Sequence, residues 1–315
     1  MKKPMNKTAI ILPAYNEEKT IAATITDFHK ALPDAEIWVI NNRSSDTTRK
    51  KALDTILNLN CLGGVIDEMN LGKGRAIRRA FLDIDAEIYI MADADFTYPA
   101  YEVHKLILPI VLGEADIVIG DRHSSGSYVR QNNRPFHNMG NQLVRYLVNI
   151  LFNVNLNDIM SGYRVLNKFF VKNYPILVKG FEIETDMILH ALDKNFRIIE
   201  ISIDYKNRPS GSFSKLNTFY DGVKIIKTIV NIFRHYQPLI FFSLLAFLMA
   251  ILAFLAGVPV INEYINQKYI YHLPLAILAA CFMILAFIFL AIGLILDSII
   301  HQERRNFEIN LLSRK

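Results

Sequence analysis

Cysteine is scarce in this sequence, with two in 315 residues. Cys61 lies in the polar part of the chain and Cys281 inside a long apolar run, so an internal disulfide framework is excluded. No Cys/His cluster has the spacing of a zinc site. The full P-loop pattern, with its longer glycine spacing and Lys-Ser/Thr ending, is missing too, so ATP hydrolysis has no support. A secretion signal is not expected. Met1-Lys2-Lys3 has the charge of one, but the apolar stretch Ala9-Ile10-Ile11-Leu12 is short and runs directly into Asn16-Glu17-Glu18. It reads as a first buried strand, and the domain it opens is expected to stay in the cytosol. Internal repeats and low-complexity tracts are lacking, which sets solenoids and disordered chains aside.

Charge is what two stretches lack altogether. Residues 239–258 hold about 18 apolar residues in 20, and residues 275–296 about 21 in 22. Without them the overall 52% hydrophobic content falls to roughly 46% over the remaining ~273 residues, which is ordinary globular composition. Each run matches the roughly 20 residues a helix needs to cross a hydrocarbon core of about 30 Å. The connection from Pro259 to His272 carries only Glu263 and Lys268. Lys224, Lys227 and Arg234 precede the pair, and Arg304, Arg305, Arg314 and Lys315 follow it. The positive-inside rule therefore places both flanks, both termini and the large domain on the cytoplasmic side of a cell membrane.

The remaining residues alternate between strand and helix patterns. Strands are expected at Thr8–Pro13, Glu36–Asn41, Gly64–Ile66, Glu87–Ala92 and Asp116–Gly120. Amphipathic stretches lie between them at 17–31, 46–59, 73–85 and 100–112. Such βαβα alternation predicts an α/β fold, a mostly parallel Rossmann-like sheet with helices on both faces. Beyond a polar stretch at 121–133, helices are expected at 135–152 and 183–194 and a late strand at 197–205. Asn217–Tyr236 carries Phe219, Val223, Ile226 and Phe233 on one face with basic residues interspersed. That suits a helix in the headgroup plane, or one packed on the domain itself. The expected organisation is a catalytic domain over 1–216, a juxtamembrane helix over 217–236, two transmembrane helices within 237–297 (238–258 and 274–296) and a basic tail over 298–315.

Ligands of such sheets bind beyond the carboxyl ends of the strands, and residues with chemistry follow each strand. After the first come Pro13-Ala14-Tyr15-Asn16-Glu17-Glu18. Capping explains Asn16 and the glutamates, whereas Tyr15 offers a ring on which a nucleobase can stack. The second strand ends in Asn41-Asn42-Arg43-Ser44-Ser45-Asp46, where Ser45 or Asp46 is a ready helix cap. The third loop, Asn70-Leu71-Gly72-Lys73-Gly74, looks like a phosphate cradle at a helix start. The fourth strand runs into Asp93-Ala94-Asp95. In an extended chain alternate side chains point the same way, so both carboxylates can face one ion, and hard oxygen ligands suit Mg²⁺ or Mn²⁺.

This sequence of strand ends resembles the nucleotide-sugar binding half of family 2 glycosyltransferases with the GT-A fold. Asn157-Asp158-Ile159-Met160-Ser161-Gly162-Tyr163-Arg164, Gly180-Phe181-Glu182-Ile183-Glu184 and Arg208-Pro209-Ser210-Gly211-Ser212-Phe213-Ser214-Lys215 are similar to the polyprenyl-phosphate branch, over roughly residues 8–235. The resemblance implies a nucleotide-sugar donor held by Pro13, Tyr15, Glu17, Asn41, Asn42, Lys73, Asp93 and Asp95, with a metal on Asp93 and Asp95. It implies an acceptor lipid phosphate met by Arg130, Arg134, Arg164, Arg208 and Lys215, with Asp158, Asp95 and Arg208 as the catalytic set. Arg122 is a further cation within reach of this chemistry. Asp158 stands where the branch has an acid that acts at the acceptor, or it is a structural partner of Arg164. Three departures are visible. Asn41-Asn42 replace paired aspartates, Thr97 replaces a metal-binding Gln, and Ser214-Lys215 are shifted by one residue.

The implied activity is inverting transfer of one sugar from a UDP-linked donor to undecaprenyl phosphate. The implied partners are the donor, the lipid, the membrane and further copies of the chain in a tetramer. No nucleic-acid partner is expected. A processive polysaccharide synthase and a non-catalytic membrane scaffold or flippase partner are the competing functions.

Overall fold

The computed structural model describes residues 7–124, 135–180, 182–206, 230 and 232–313. Arg130, Arg134, Arg208, Lys215 and most of the expected juxtamembrane helix lie outside the described residues. The chain forms two compact units, Met1–Ile225 and Ile226–Lys315.

The first unit is built on β1 (Thr8–Ala14), β2 (Glu36–Asn41), β3 (Gly63–Asp67), β4 (Ile88–Met91) and β5 (Ile117–Asp121). Between them run α1 (Ile21–Ala31), α2 (Thr48–Asn58), α3 (Lys73–Asp83) and α4 (Val103–Val111). These bounds follow the sequence expectation closely, because a strand covered on both faces must be apolar throughout. Ala9 to Leu12 are wholly buried, as are Ile37, Val39 and Ile90. The helices bury one stripe each, such as Ile21, Thr24, Ile25 and Phe28 of α1.

After β5 come α5 (Pro135–Phe152), β6 (Arg164–Asn167), α6 (Lys168–Asn173), α7 (Ile183–Asp193) and β7 (Ile198–Ser202). The seven strands take the order β3-β2-β1-β4-β6-β5-β7. The sheet is mostly parallel, as expected, and β6 runs antiparallel to both β4 and β5, with Arg164 opposite Met91 and Ile119. Its reversal has a functional result: β6 begins at the edge where β4 and β5 end. Residues 158–163 are therefore delivered to the same edge as residues 93–97 and 121–124. Strand order also reverses between β1 and β4, the crevice where open α/β sheets bind ligands.

The second unit contains α8 (Pro238–Gln267) and α9 (Leu273–Ser313), of 30 and 41 residues. Their most apolar stretches have mean hydropathies of 2.8 and 3.1, and only 11% and 6% of those stretches are buried. Both helices are long and apolar enough to cross a membrane. Core helices of a soluble protein would be covered, and Phe247, Phe254, Phe287 and Ile295 are each at least 60% exposed. The two helices pack through small residues seven apart: Ala246, Ala253 and Val260 on α8, Ala286 and Gly293 on α9. A Cβ at Gly293 would stand 3.0 Å from the Phe242 Cβ, so glycine permits the close approach.

Both helices exceed the expected spans. α8 continues through Pro259, and the expected tail from residue 298 extends α9 as far as Ser313. The turn between them is short. Lys268 is left-handed at the end of α8. The Glu263 carboxylate accepts the backbone N–H groups of Tyr271 and His272 at 3.0 and 3.2 Å, covering donors at the start of α9.

His190 on α7 packs among Phe170, Tyr174 and Phe196, with ring centroids 5.1–6.1 Å away. Burial pushes its imidazole down to about 4. The neutral ring therefore favours the fold above the ordinary value of about 6.5, and that contribution is lost as pH falls toward 4. Between pH 7 and pH 4 stability should drop by up to about 3 kcal/mol from this group. His190→Phe should remove that part of the pH dependence in thermal melts. An unchanged pH profile would contradict the assignment.

Candidate active site

The first two strand ends are tied to each other. Asn16 is left-handed, with φ 53°, so capping of α1 is not its role. Its Oδ1 accepts Ser45 N–H at 2.8 Å, and its N–H donates to Ser44 Oγ at 3.1 Å. Glu17 N–H donates to Thr48 Oγ1 at 2.8 Å. Glu18 accepts Thr47 Oγ1–H at 2.5 Å, and Asp46 accepts Thr48 N–H at 2.9 Å at the start of α2. Tyr15 stands at this mouth, 37% exposed, and Pro13 lies opposite Ile40 within the sheet.

The side chains of Asn41 and Asn42 are hydrogen-bonded within the protein. Both are buried. Asn41 Nδ2 donates to Asp67 Oδ1 at 2.8 Å. Asn42 Nδ2 donates to Asn70 O at 2.7 Å, and its Oδ1 accepts Gly72 N–H at 2.7 Å. An amide both donates and accepts, so it can stitch β2 to the following loop where a carboxylate would leave the carbonyls unanswered. The half-buried carboxylate at this edge belongs to Asp67, which burial raises but Asn41 and Arg49 together hold below its ordinary value.

The Gly72-Lys73-Gly74 loop likewise departs from a phosphate cradle. Cβ atoms at Gly72 and Gly74 would lie 2.0 Å from Lys179 O and 2.4 Å from Val178 O. Gly74 N–H donates to Gly180 O at 3.2 Å. These glycines therefore admit the backbone of 178–180, and their N–H groups are engaged within the protein. Lys73 reaches inward between the Asp93 and Glu184 carboxylates, the latter at 2.5 Å. Burial works against its ammonium, but the two carboxylates outweigh it and hold Lys73 above its ordinary value.

β4 ends two residues before Asp93, so the Asp93-Ala94-Asp95 segment is a turn rather than a continued strand. Asp95 is 3% exposed, and its Oδ1 accepts Thr97 Oγ1–H at 2.6 Å and Thr97 N–H at 3.2 Å. Thr97 thus steadies the acid. The intervening Phe96 is left-handed at φ 64°, a non-glycine conformation that costs about 1 kcal/mol or more and clusters at ligand sites. Gly162 backs onto Asp93: a Cβ there would come 2.8 Å from Oδ2. Among the described residues no three His, Cys, Asp or Glu side chains are grouped to cage a metal. Two aspartates in a glycine-lined cradle fit a hard divalent cation that takes its other ligands from phosphates and water.

Asp158 faces Arg122, not Arg164. Arg122 grips it with Nε–Oδ2 at 2.7 Å and Nη2–Oδ1 at 2.9 Å, and Arg122 N–H adds a third bond at 3.1 Å. Burial would raise the Asp158 carboxyl, but Arg122 holds it below the usual range. A carboxylate so engaged positions an arginine; it is poorly suited to take a proton. Glu200 of β7 accepts the N–H groups of Asn157 and Asp158 at 2.7 and 2.8 Å, which sets the loop. Tyr205 lies 5.6 Å beneath the Arg122 guanidinium, and the Tyr98 hydroxyl accepts Gly162 N–H at 2.8 Å. Arg164 is wholly buried and donates to Ile159 O at 2.8 Å and Ser161 O at 2.9 Å, so it braces the Asp158–Gly162 turn from inside the core.

Sequence reasoning assigned no role to Glu184, Gly162, Tyr98, Tyr205 or Glu200. A glutamate at a helix start reads as a dipole partner, and a tyrosine reads as core. Gly162 had a signal in its place between Ser161 and Tyr163 ahead of an arginine.

The Glycosyl transferase family 2 profile matches residues 9–174, and the chain belongs to that family. It is a glycosyltransferase with a GT-A sheet, followed in sequence by two long apolar helices. The chain is 28% identical over 303 residues to glycosyltransferase AglJ of Haloferax volcanii, covering 95% of each chain. It is 24% identical over 226 residues to polyprenol monophosphomannose synthase of Mycolicibacterium smegmatis, covering 66% of this chain and 81% of that one. These relatives fit the polyprenyl-phosphate branch. In fold it is similar to glucosyl-3-phosphoglycerate synthase from Mycobacterium tuberculosis, solved with Mn²⁺, UDP and phosphoglyceric acid, at a TM-score of 0.57 and 18% identity. That match covers 73% of this chain and 78% of the other.

The Arg122–Asp158 pair is buried, and breaking such a pair leaves an uncompensated charge. Asp158→Asn should destabilise the protein by about 3–5 kcal/mol. Circular-dichroism melts in detergent measure this, and a loss below about 1 kcal/mol would show that Arg122 is held by other groups.

Proposed function

We propose that the protein is a membrane-bound inverting glycosyltransferase. It moves one sugar from a nucleotide-sugar, UDP-linked, to undecaprenyl phosphate, giving a polyprenyl-monophosphate sugar for cell-envelope glycan modification. The observation that carries this reading is the pairing, in one chain, of the Asp93/Asp95 turn with two helices apolar enough to cross a membrane. A soluble acceptor needs no such helices. A polyprenyl phosphate is dissolved in the bilayer, and the enzyme must meet it there. The domain, its flanks and both termini are assigned to the cytoplasmic face.

Asp93 and Asp95 would hold Mg²⁺ or Mn²⁺, which when bound supplies Lewis-acid neutralisation of a departing diphosphate. The chain's own residues do the rest. Tyr15 offers a ring for the base, and Thr97 holds the Asp95 carboxylate in one orientation. Arg122, clamped by Asp158 and backed by Tyr205, presents a fixed guanidinium beside the metal turn, a planar donor suited to phosphate oxygens. The acceptor phosphate is already an anion at neutral pH, so repulsion by the donor diphosphate is a larger obstacle than deprotonation. Cations at Arg122, Arg130, Arg134, Arg208 and Lys215 relieve that repulsion. Attack on the anomeric carbon by the phosphate inverts configuration, so an α-linked donor yields a β-linked lipid.

Purified full-length protein in detergent, with Mn²⁺ or Mg²⁺, undecaprenyl phosphate and a panel of UDP- and GDP-sugars, should place a single sugar on a chloroform-soluble lipid. Release of no nucleotide from any donor would contradict the reading, and a long water-soluble polymer would point to processive synthesis. Asp95→Ala should lower turnover at least about a hundredfold, in the range of losses for a group that stabilises transition-state charge, with the fold intact. Arg208→Ala should raise the KM for lipid phosphate with little change in the KM for donor.

A further inference from the structure

Glu184 lies at the start of α7, 4% exposed, and its carboxylate meets the ammonium of Lys73 at 2.5 Å. The same ammonium contacts Asp93, and its side chain is 10% exposed. Asp93 therefore stands neutralised by a cation the protein already owns. A second cation arriving at Asp93 would meet that ammonium at close range, where like charges repel strongly in a site screened from water. The third carboxylate alters this balance. Within this group of four side chains, Asp93, Asp95 and Glu184 carry three formal negative charges and Lys73 one positive, a sum of two negative charges that a divalent cation would match.

We propose that Glu184 is a positioning residue that offsets Lys73, so that Asp93 and Asp95 keep the charge to bind a divalent cation while Lys73 holds Asp93 in place. The proposal rests on the reading of Asp93 and Asp95 as metal ligands. Lys73 is thereby a strut, anchored on α7 at one end and on the β4 turn at the other. Its position on α3 ties the third loop to the fourth. The glycines beside it serve the same end, because Gly72 and Gly74 let the 178–180 backbone approach closely enough for Glu184 to reach the ammonium. Arg164 also lies in the electrostatic field of Glu184, but its guanidinium is committed to backbone carbonyls and is common to every variant below.

A charge cycle tests this with Mn²⁺ alone, titrated into the detergent-solubilised full chain without nucleotide or lipid and read by the electron paramagnetic resonance of free Mn²⁺. Glu184→Gln leaves Lys73 to Asp93 alone and should weaken Mn²⁺ binding by about tenfold or more. Lys73→Met removes the competing cation and should tighten it. The Lys73→Met/Glu184→Gln double variant restores the charge sum and should return the affinity to within about threefold of the parent, the two opposite effects offsetting each other. A purely structural role for Glu184 predicts instead that Lys73→Met also weakens binding and that the double variant is the worst of the three; that outcome overturns the proposal. Should Glu184→Gln fail to fold, the Lys73→Met and double variants still decide it by the same two signs. If the parent binds Mn²⁺ and no variant shifts the affinity, the charge-balance proposal fails while the metal reading stands. If the parent binds no Mn²⁺ at millimolar concentration, both fail.

Discussion

The buried ammonium of Lys73 constrains much of this structure, because a charge taken out of water must be met by partners held in place. Its partners come from elements far apart in sequence: Asp93 follows β4 and Glu184 begins α7. Satisfying one cation therefore fixes the third loop, the fourth loop and α7 relative to one another. The Arg122–Asp158 pair does the same for the ends of β5 and the turn before β6. Tyr98 joins the two assemblies, since its hydroxyl accepts from Gly162 beside Asp93 and its ring lies 5.2 Å from that of Tyr163. The strand ends form a rigid rim of paired charge, which suits a site that must receive a polyanion without rearranging.

The reversed strand β6 makes this rim possible. In a wholly parallel sheet each strand begins at the edge opposite the site, and the turn before it points away. With β6 antiparallel, the Asp158–Gly162 turn arrives at the candidate site edge, where Asp158 and its partner Arg122 lie beside the Asp93–Asp95 turn. Arg164 braces this turn through backbone carbonyls, so an arginine in a glycosyltransferase motif serves the fold and reaches the chemistry only through what it holds.

Much of the fold was legible in the sequence. β1 to β5 are short apolar runs followed by turn residues, and α1 to α4 carry one apolar stripe each, so period and boundary agree. β6 was not legible. Arg164-Val165-Leu166-Asn167 has four residues and begins with a charge, and its strand character comes from filling the gap between β4 and β5. The apolar helices were legible by composition, but their lengths were not, because a helix continuing beyond its apolar stretch carries no signal where it leaves the hydrocarbon. At the candidate site, residue type and position single out Asp93 and Asp95, and the family resemblance singles out Asp158. Their partners were harder to see. Asn41 and Asn42 stand at a strand end in sequence and in space tie β2 to Asp67 and the following loop, while Glu184 resembles a helix-start acid and completes a charge cluster. Pairing of this kind joins residues as far apart in sequence as Lys73 and Glu184, which local pattern does not encode.

The proposed function places the donor diphosphate at the Asp93/Asp95 turn, with Lys73 and Glu184 behind it and Arg122 beside it. X-ray diffraction at the manganese absorption edge from crystals grown with Mn²⁺ and UDP tests it most directly. The account predicts one strong anomalous peak within coordination distance of the Asp95 and Asp93 carboxylates, bridged to the diphosphate, with Lys73 still on Glu184. A peak elsewhere on the protein, or UDP bound away from the β1–β4 crevice, would contradict it.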